Sequence, residues 1–222
     1  MGLYKLDFNN SIEHGKLLQA NLEKIDYEKS FENWLENSPN VLFEDEGETV
    51  LWLSRQESAN IGETNKKPDL IGIDSNGDVV IVELKKGRAP REVIAQLLEY
   101  SSWASKLQYD DLNKIYKNYL LKNNKLCKDL ENDFFDTFYP DSDEINIDYN
   151  KSQKLFIFSE DYPQITKEVV NHLNEKYKLK IKCLKYTVHK TEKNDYFISI
   201  ETVAGSIIEL TEIEIIENGR WN

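Results

Sequence analysis

Residues Val79, Val80, Ile81, Val82, Glu83, Leu84 and Lys85 run together as one nearly unbroken set of strand formers. Such a run predicts a strand. Upstream stand Pro68-Asp69 and the apolar Leu70-Ile71-Gly72-Ile73, and Asp74-Ser75-Asn76-Gly77-Asp78 lies between the two runs as turn chemistry. The segment from about Asp69 to Lys85 therefore predicts a β-hairpin. Side chains alternate along a strand, so Ile81, Glu83 and Lys85 share one face while Val80, Val82 and Leu84 share the other. A two-residue Asn76-Gly77 turn would pair Asp69 with Leu84. A three-residue Ser75-Asn76-Gly77 loop, a type I turn followed by a left-handed glycine, would pair Asp69 with Glu83 instead.

Charged side chains in such a strand need a partner or a metal. Asp69 and Glu83 side by side would offer the hard oxygen ligands that suit Mg²⁺ or Mn²⁺, and the Leu84 carbonyl could add another. Lys85, beside them, could hold or help deprotonate a water and offset charge on a phosphoryl group. A surface hairpin with a plain Glu–Lys pair fits the same tripeptide.

Along the rest of the chain, Ile12, Leu17, Leu18, Leu22, Ile25, Phe31, Trp34 and Leu35 recur at helical spacing, predicting a helix over 11–38 with a break near Asp26. Ser38-Pro39 ends it. A strand over 50–56 and a polar loop over 57–67 follow. Pro90 suits the first position of a helix over 91–107, which would put Lys86, Arg88 and Arg91 at a helix N-terminus, a phosphate-binding feature. A helix over 110–126 comes next. A strand at 155–158, a helix at 163–177 and strands at 181–190, 195–203 and 206–216 complete one α/β domain.

The net charge of −12 opposes indiscriminate nucleic-acid binding. It is unevenly placed, though. Eight acids and no Lys or Arg lie between Asp129 and Tyr149, whereas Lys85-Lys86-Gly87-Arg88-Ala89-Pro90-Arg91 carries four cations and no acid. The acidic stretch 129–150 reads as a surface insertion whose aromatics (Phe134, Phe135, Phe138, Tyr139) pack on something. Cys127 and Cys183 make neither a disulfide framework nor a zinc pattern. No signal-peptide pattern or apolar run of membrane-spanning length occurs, and Leu6 argues against myristoylation, so a cytoplasmic protein is expected. Asp74 to Asp78 lacks the glycine and glutamate positions of a calcium loop. His14, His172 and His189 have no triad partners. Trp52, Trp103, Tyr4 and Tyr109 read as packing residues, and nothing resembles a P-loop.

Taken together, Pro68-Asp69, then Glu83-Leu84-Lys85, then Gln96-Leu97-Leu98-Glu99-Tyr100 resemble the PD-(D/E)xK nuclease superfamily, the last stretch resembling the Q-x-x-x-Y helix of its RecB-like members. Phe31-Glu32-Asn33-Trp34-Leu35 before Ser38-Pro39, with Arg55-Gln56 at a strand end, is similar to NucS-like relatives. The resemblance covers roughly residues 28–110, and more loosely 154–203. It implies a restriction-endonuclease-like core, a mixed β-sheet flanked by helices, with a C-terminal β-α-β-β extension. It implies Glu32, Asp69 and Glu83 as ligands of Mg²⁺ or Mn²⁺, Lys85 as the catalytic lysine, and Gln96 and Tyr100 lining the site. Glu28 and Glu36 share the helix with Glu32, which leaves the choice among the three open. Arg55, Gln56, Lys67, Lys86, Arg88 and Arg91 are candidates for contact with DNA or RNA; for Lys66-Lys67 a solubility role is equally open. The implied activity is phosphodiester hydrolysis, with DNA the first expectation, and paired cuts would favour a homodimer. The alternative is a non-catalytic regulatory module on the same scaffold, with the acidic segment plugging the cleft.

Overall fold

The computed structural model describes residues 3–8, 16–24, 28–43, 48–56, 59–61, 64–141 and 146–207. A mixed sheet runs through them. It is built from β1 (Leu3–Asp7), β2 (Lys16–Glu23), β3 (Leu51–Arg55), β6 (Leu70–Ile73), β7 (Val79–Arg88), β8 (Gln153–Asp161), β9 (Lys180–Thr191) and β10 (Tyr196–Gly205). The order is β1-β2-β9-β8-β7-β6-β3, with β10 also on β9. Two short strands, β4 (Ala59–Ile61) and β5 (Thr64–Lys66), pair separately. The helices α1 (Glu28–Glu36), α2 (Val93–Ala104), α3 (Tyr109–Lys122), α4 (Leu130–Phe138) and α5 (Gln164–Tyr177) flank the sheet. The fold is thus mixed α/β, consistent with the expected restriction-endonuclease-like core. Strands β3, β6 and β7 are antiparallel, and β8 lies parallel to β7 after α2. The β8-α5-β9-β10 half is the expected β-α-β-β extension.

The apolar run of β7 fills the middle of the sheet, with Val79 through Val82 fully buried. Each such side chain contributes about 1.5–3 kcal/mol by leaving water. Phe31 of α1 stacks on Tyr186 at 4.2 Å and tilts against Phe158, which seats the helix on the sheet.

Several expectations need correction. The helix over 11–38 is replaced by β2 and the much shorter α1; residues 11–15 and 25–27, including the break near Asp26, lie outside the described residues. Residues 16–23 have an open edge of β9 to pair with, from Ala20 opposite Thr191 to Glu23 opposite Val188. That ladder outweighs a helical spacing that has nothing to bury, since Leu17 and Leu22 are exposed. The loop over 57–67 contains β4 and β5. The last strand, 206–216, falls almost wholly on residues outside those described.

The start of α2 also shifts. Strand β7 continues through Lys86, Gly87 and Arg88, because a bulge at Gly87 (φ +70°) lets Arg88 pair with Asp161 after Lys85 has paired with Ser159. The Ala89 amide closes that edge on the Asp161 carbonyl at 2.8 Å. Lys86 and Arg88 therefore sit on a strand end and Arg91 in the turn before α2, rather than at a helix N-terminus.

The aromatics of the acidic stretch do pack, but on the hairpin turn. Phe134 of α4 is fully buried, Tyr139 Oη donates to the Ser75 carbonyl at 2.9 Å, and the Asn150 amide donates to the Gly77 carbonyl at 2.8 Å. Among the described residues this stretch covers the end of the hairpin away from Glu83, about 16 Å along the strand at 3.3 Å per residue. Its described residues do not plug the cleft.

Candidate active site

The hairpin register decides whether the charged residues meet. Leu70 pairs with Val82, Ile71 with Ile81, Gly72 with Val80 and Ile73 with Val79. Continued outward by one rung, this places Asp69 opposite Glu83. The turn is the three-residue one: the Gly77 amide donates to the Asp74 carbonyl at 3.0 Å, Gly77 is left-handed at φ +77°, and Asp74 bonds Asp78. Asp74 Oδ1 accepts the Asn76 and Asp78 amides and braces the loop. Asp69 is fixed at its own end, its carbonyl accepting from the Gln56 amide and its Oδ2 accepting from the Leu84 amide at 2.6 Å.

Glu83 is buried, and Lys85, two residues on along the same face, contacts Glu83 Oε1. Gln96 Nε2 donates to that oxygen at 2.7 Å and also to Tyr100 Oη at 2.7 Å. Tyr100, fully buried, in turn donates a hydrogen bond from its hydroxyl to the Lys67 carbonyl at 2.9 Å. One helical turn separates Gln96 from Tyr100, which brings both to one side of α2. Lys67 thus joins the site through its main chain, while its side chain is exposed.

Burial, followed by the charge of Glu83, pushes Asp69 up to about 8, with Glu32 adding to the rise and the Leu84 amide and Lys85 opposing it. Burial likewise pushes Tyr100 up to about 12, so its hydroxyl remains a donor at neutral pH.

Of the two α1 glutamates whose side chains are described, Glu32 and Glu36, Glu32 is the buried one, and its charge reaches Asp69. Glu36 is bonded by Arg55 and Tyr119, and the Glu28 side chain is outside what is described. Arg55 grips Glu32 Oε2 through Nε at 2.8 Å and Nη2 at 2.6 Å, and Gln56 Nε2 lies 3.4–3.5 Å from both Glu32 oxygens. Half-buried Arg55 and exposed Gln56 thus both attend a carboxylate. Lys86, Arg88 and Arg91 are exposed, and Arg88 Nε forms a surface pair with Asp161 at 3.2 Å.

Among the described residues no three His, Cys, Asp or Glu side chains are grouped closely enough to cage a metal. The donor set is two facing carboxylates with a third, Glu32, turned onto Arg55. That set still fits Mg²⁺ or Mn²⁺, which bind through one or two carboxylates and take their remaining oxygens from water and phosphate. Sequence reasoning offered Glu36 only as an alternative ligand to Glu32 and gave Asn33 and Tyr119 no role around Arg55, for no motif marks them. It also missed Glu160, whose carboxylate accepts the Gly87 amide at 3.3 Å.

No helix among the described residues is long and apolar enough to cross a membrane. No family model matches the sequence, and no curated protein matches it. Among solved structures, the chain is similar to a repair endonuclease from Pyrococcus abyssi, with 14% identity, a TM-score of 0.36 and 82% of this chain covered. It is also similar to EndoMS in a complex with double-stranded DNA, with 15% identity, a TM-score of 0.37 and 83% of this chain covered. The match spans 65% of the length of each of those two chains.

Proposed function

We propose that this protein is a Mg²⁺- or Mn²⁺-dependent phosphodiesterase that cuts DNA. The observation that supports it most is Asp69 facing Glu83 across the hairpin, with Lys85 and Gln96 both on Glu83 Oε1. Asp69 and Glu83 would hold the cation, with Glu32 completing the site directly or through water and the Leu84 carbonyl a further candidate ligand. A bound divalent cation draws charge from a phosphoryl oxygen and makes water a better nucleophile at neutral pH.

The chain's own residues supply the rest. Lys85 brings a positive charge to the place where negative charge grows on the phosphorus centre, and its ammonium can orient the attacking water. Gln96 and Tyr100 hold Glu83 in one rotamer by filling its Oε1 and tying α2 to the Lys67 carbonyl. The exposed Lys86, Arg88, Arg91 and Lys67 provide phosphate attraction beside the site.

The test uses plasmid, single-stranded and branched DNA, and RNA, with Mg²⁺ or Mn²⁺. Cleavage by the wild type and its loss in Asp69→Ala and Lys85→Ala is the expected result. Failure to cut any of these substrates with either metal would sink the reading.

A second reading, a non-catalytic module that binds nucleic acid or a protein, draws support from one observation: Arg55 already neutralises Glu32. Retention of DNA in a gel shift, without cleavage at any metal concentration, would favour it.

A further inference from the structure

Glu32 is held by a chain of polar contacts that begins on α3. Tyr119 Oη donates to Glu36 Oε1 at 2.5 Å, and Glu36 Oε2 accepts from Arg55 Nη1 at 3.1 Å. The same Arg55 nitrogen donates to Asn33 Oδ1 at 2.5 Å, while Nε and Nη2 close on Glu32 Oε2. The guanidinium is therefore bonded by three residues of α1 and cannot swing without breaking several bonds. α1 is pinned at the same level, since the Trp52 indole donates to the Glu36 carbonyl at 3.0 Å.

Two features make this more than a surface ion pair. Glu32 and Glu36 stand four residues apart on one helix, where like charges repel, and Arg55 sits between them. Arg55 Nε and Nη2 also both meet Glu32 Oε2, while Glu32 Oε1 meets Gln56 Nε2 at 3.5 Å, so the carboxylate is held on both its oxygens. The Tyr119 hydroxyl stays a donor because burial, followed by its bond to Glu36, pushes it above the ordinary tyrosine range.

We infer that Tyr119, Glu36 and Arg55 are positioning residues that orient the Glu32 carboxylate for the divalent cation, so that metal affinity is set in part from α3. The inference rests on the metal-site reading above. Partners that orient a ligand typically change metal affinity about 10–100-fold when removed. A contact one step further out has a smaller effect.

The experiment is Mn²⁺ binding to the full chain without DNA, read from the free-Mn²⁺ electron paramagnetic resonance signal. Each variant is also unfolded thermally in chelator. Arg55→Lys keeps the charge but loses the fork, and should raise the Mn²⁺ Kd about tenfold, as should Glu36→Gln. Tyr119→Phe, which loses one oxygen and whose fold is the safest of the three, should raise it about threefold. Glu32→Gln serves as the reference for loss of the ligand itself. If Glu32→Gln weakens Mn²⁺ but Arg55→Lys and Tyr119→Phe bind as the wild type does, the relay is structural only and the inference is overturned. A lowered melting temperature in chelator with an unchanged Kd overturns it equally. No Mn²⁺ binding by the wild type removes the metal-site reading, and the inference with it.

Discussion

The main-chain amide of Leu84 donates to Asp69 Oδ2 over 2.6 Å, so the aspartate side chain takes over the ladder one rung beyond the last paired residue of β6. A carboxylate is in this way built into the hairpin's hydrogen bonding opposite a second, buried carboxylate. The fold tolerates a local repulsion there.

That repulsion has a pH signature in the metal-free protein. Asp69 titrates near 8 in the native state against an ordinary value of 3.8, with burial the larger cause and Glu83 the next. Between those values the native state holds a proton that the unfolded chain has released. The contribution is therefore present below about 4 and is lost as pH rises through about 8. Asp69→Asn should flatten this decline, giving a higher urea midpoint than the wild type at pH 8 in chelator and little difference at pH 4. A wild-type decline that the substitution leaves intact would contradict the assignment.

Tyr100→Phe removes the acceptor for Gln96 and the donor to the Lys67 carbonyl in a fully buried place. Loss of such bonds costs about 1–3 kcal/mol. Denaturant unfolding should show that loss, and cleavage should slow because Gln96 no longer steadies Glu83.

Gly77→Ala tests the turn. At φ +77° an added Cβ would lie 2.7 Å from Ile147 Cγ2, with left-handed strain of about 1–2 kcal/mol in addition. The melting temperature should fall by about 4 °C or more. A variant as stable as the wild type would mean that the loop can adopt the other register.

The two thiols should differ sharply. Cys127 is exposed, while Cys183 is buried in β9 and pushed up to about 12 by that burial. A thiol reagent at pH 8 should modify one cysteine in the native protein and both in denaturant, with Cys127→Ser abolishing the fast reaction.

If nucleic acid lies across the strand end, Lys86→Ala and Arg91→Ala should each weaken DNA binding across sequences. Each should also lower the slope of log K against log salt by about 1. An unchanged slope would move the phosphate contacts elsewhere.

The hairpin was legible because face parity ties Asp69, Glu83 and Lys85 to one loop length, and the observed Gly77 turn is that loop. Gln96 and Tyr100 were legible only through the resemblance of Gln96-Leu97-Leu98-Glu99-Tyr100 to the Q-x-x-x-Y helix, since a spacing of four alone marks any amphipathic helix face. Glu32 could not be separated from Glu28 and Glu36 by sequence, since their spacing puts all three on one helix face; its burial and its charge on Asp69 are what set it apart from Glu36. Residues 16–23 misled for a physical reason. Leu17, Leu18 and Leu22 satisfy a helical period, yet the deciding partner, the far half of β9, lies some 170 residues away in sequence. The strand status of Lys86 to Arg88 depended in the same way on Asp161, which no local signal announces.

Strand β9 lends one edge to two partners, β8 along Lys180 to Lys185 and β2 along Val188 to Thr191, while β10 takes the other edge. A nascent chain therefore has nowhere to dock its first strands until residues near 190 have left the ribosome. Closure of the sheet is a late, long-range event in synthesis. The hairpin that carries Asp69 and Glu83 needs only its own neighbours and can form well before that point.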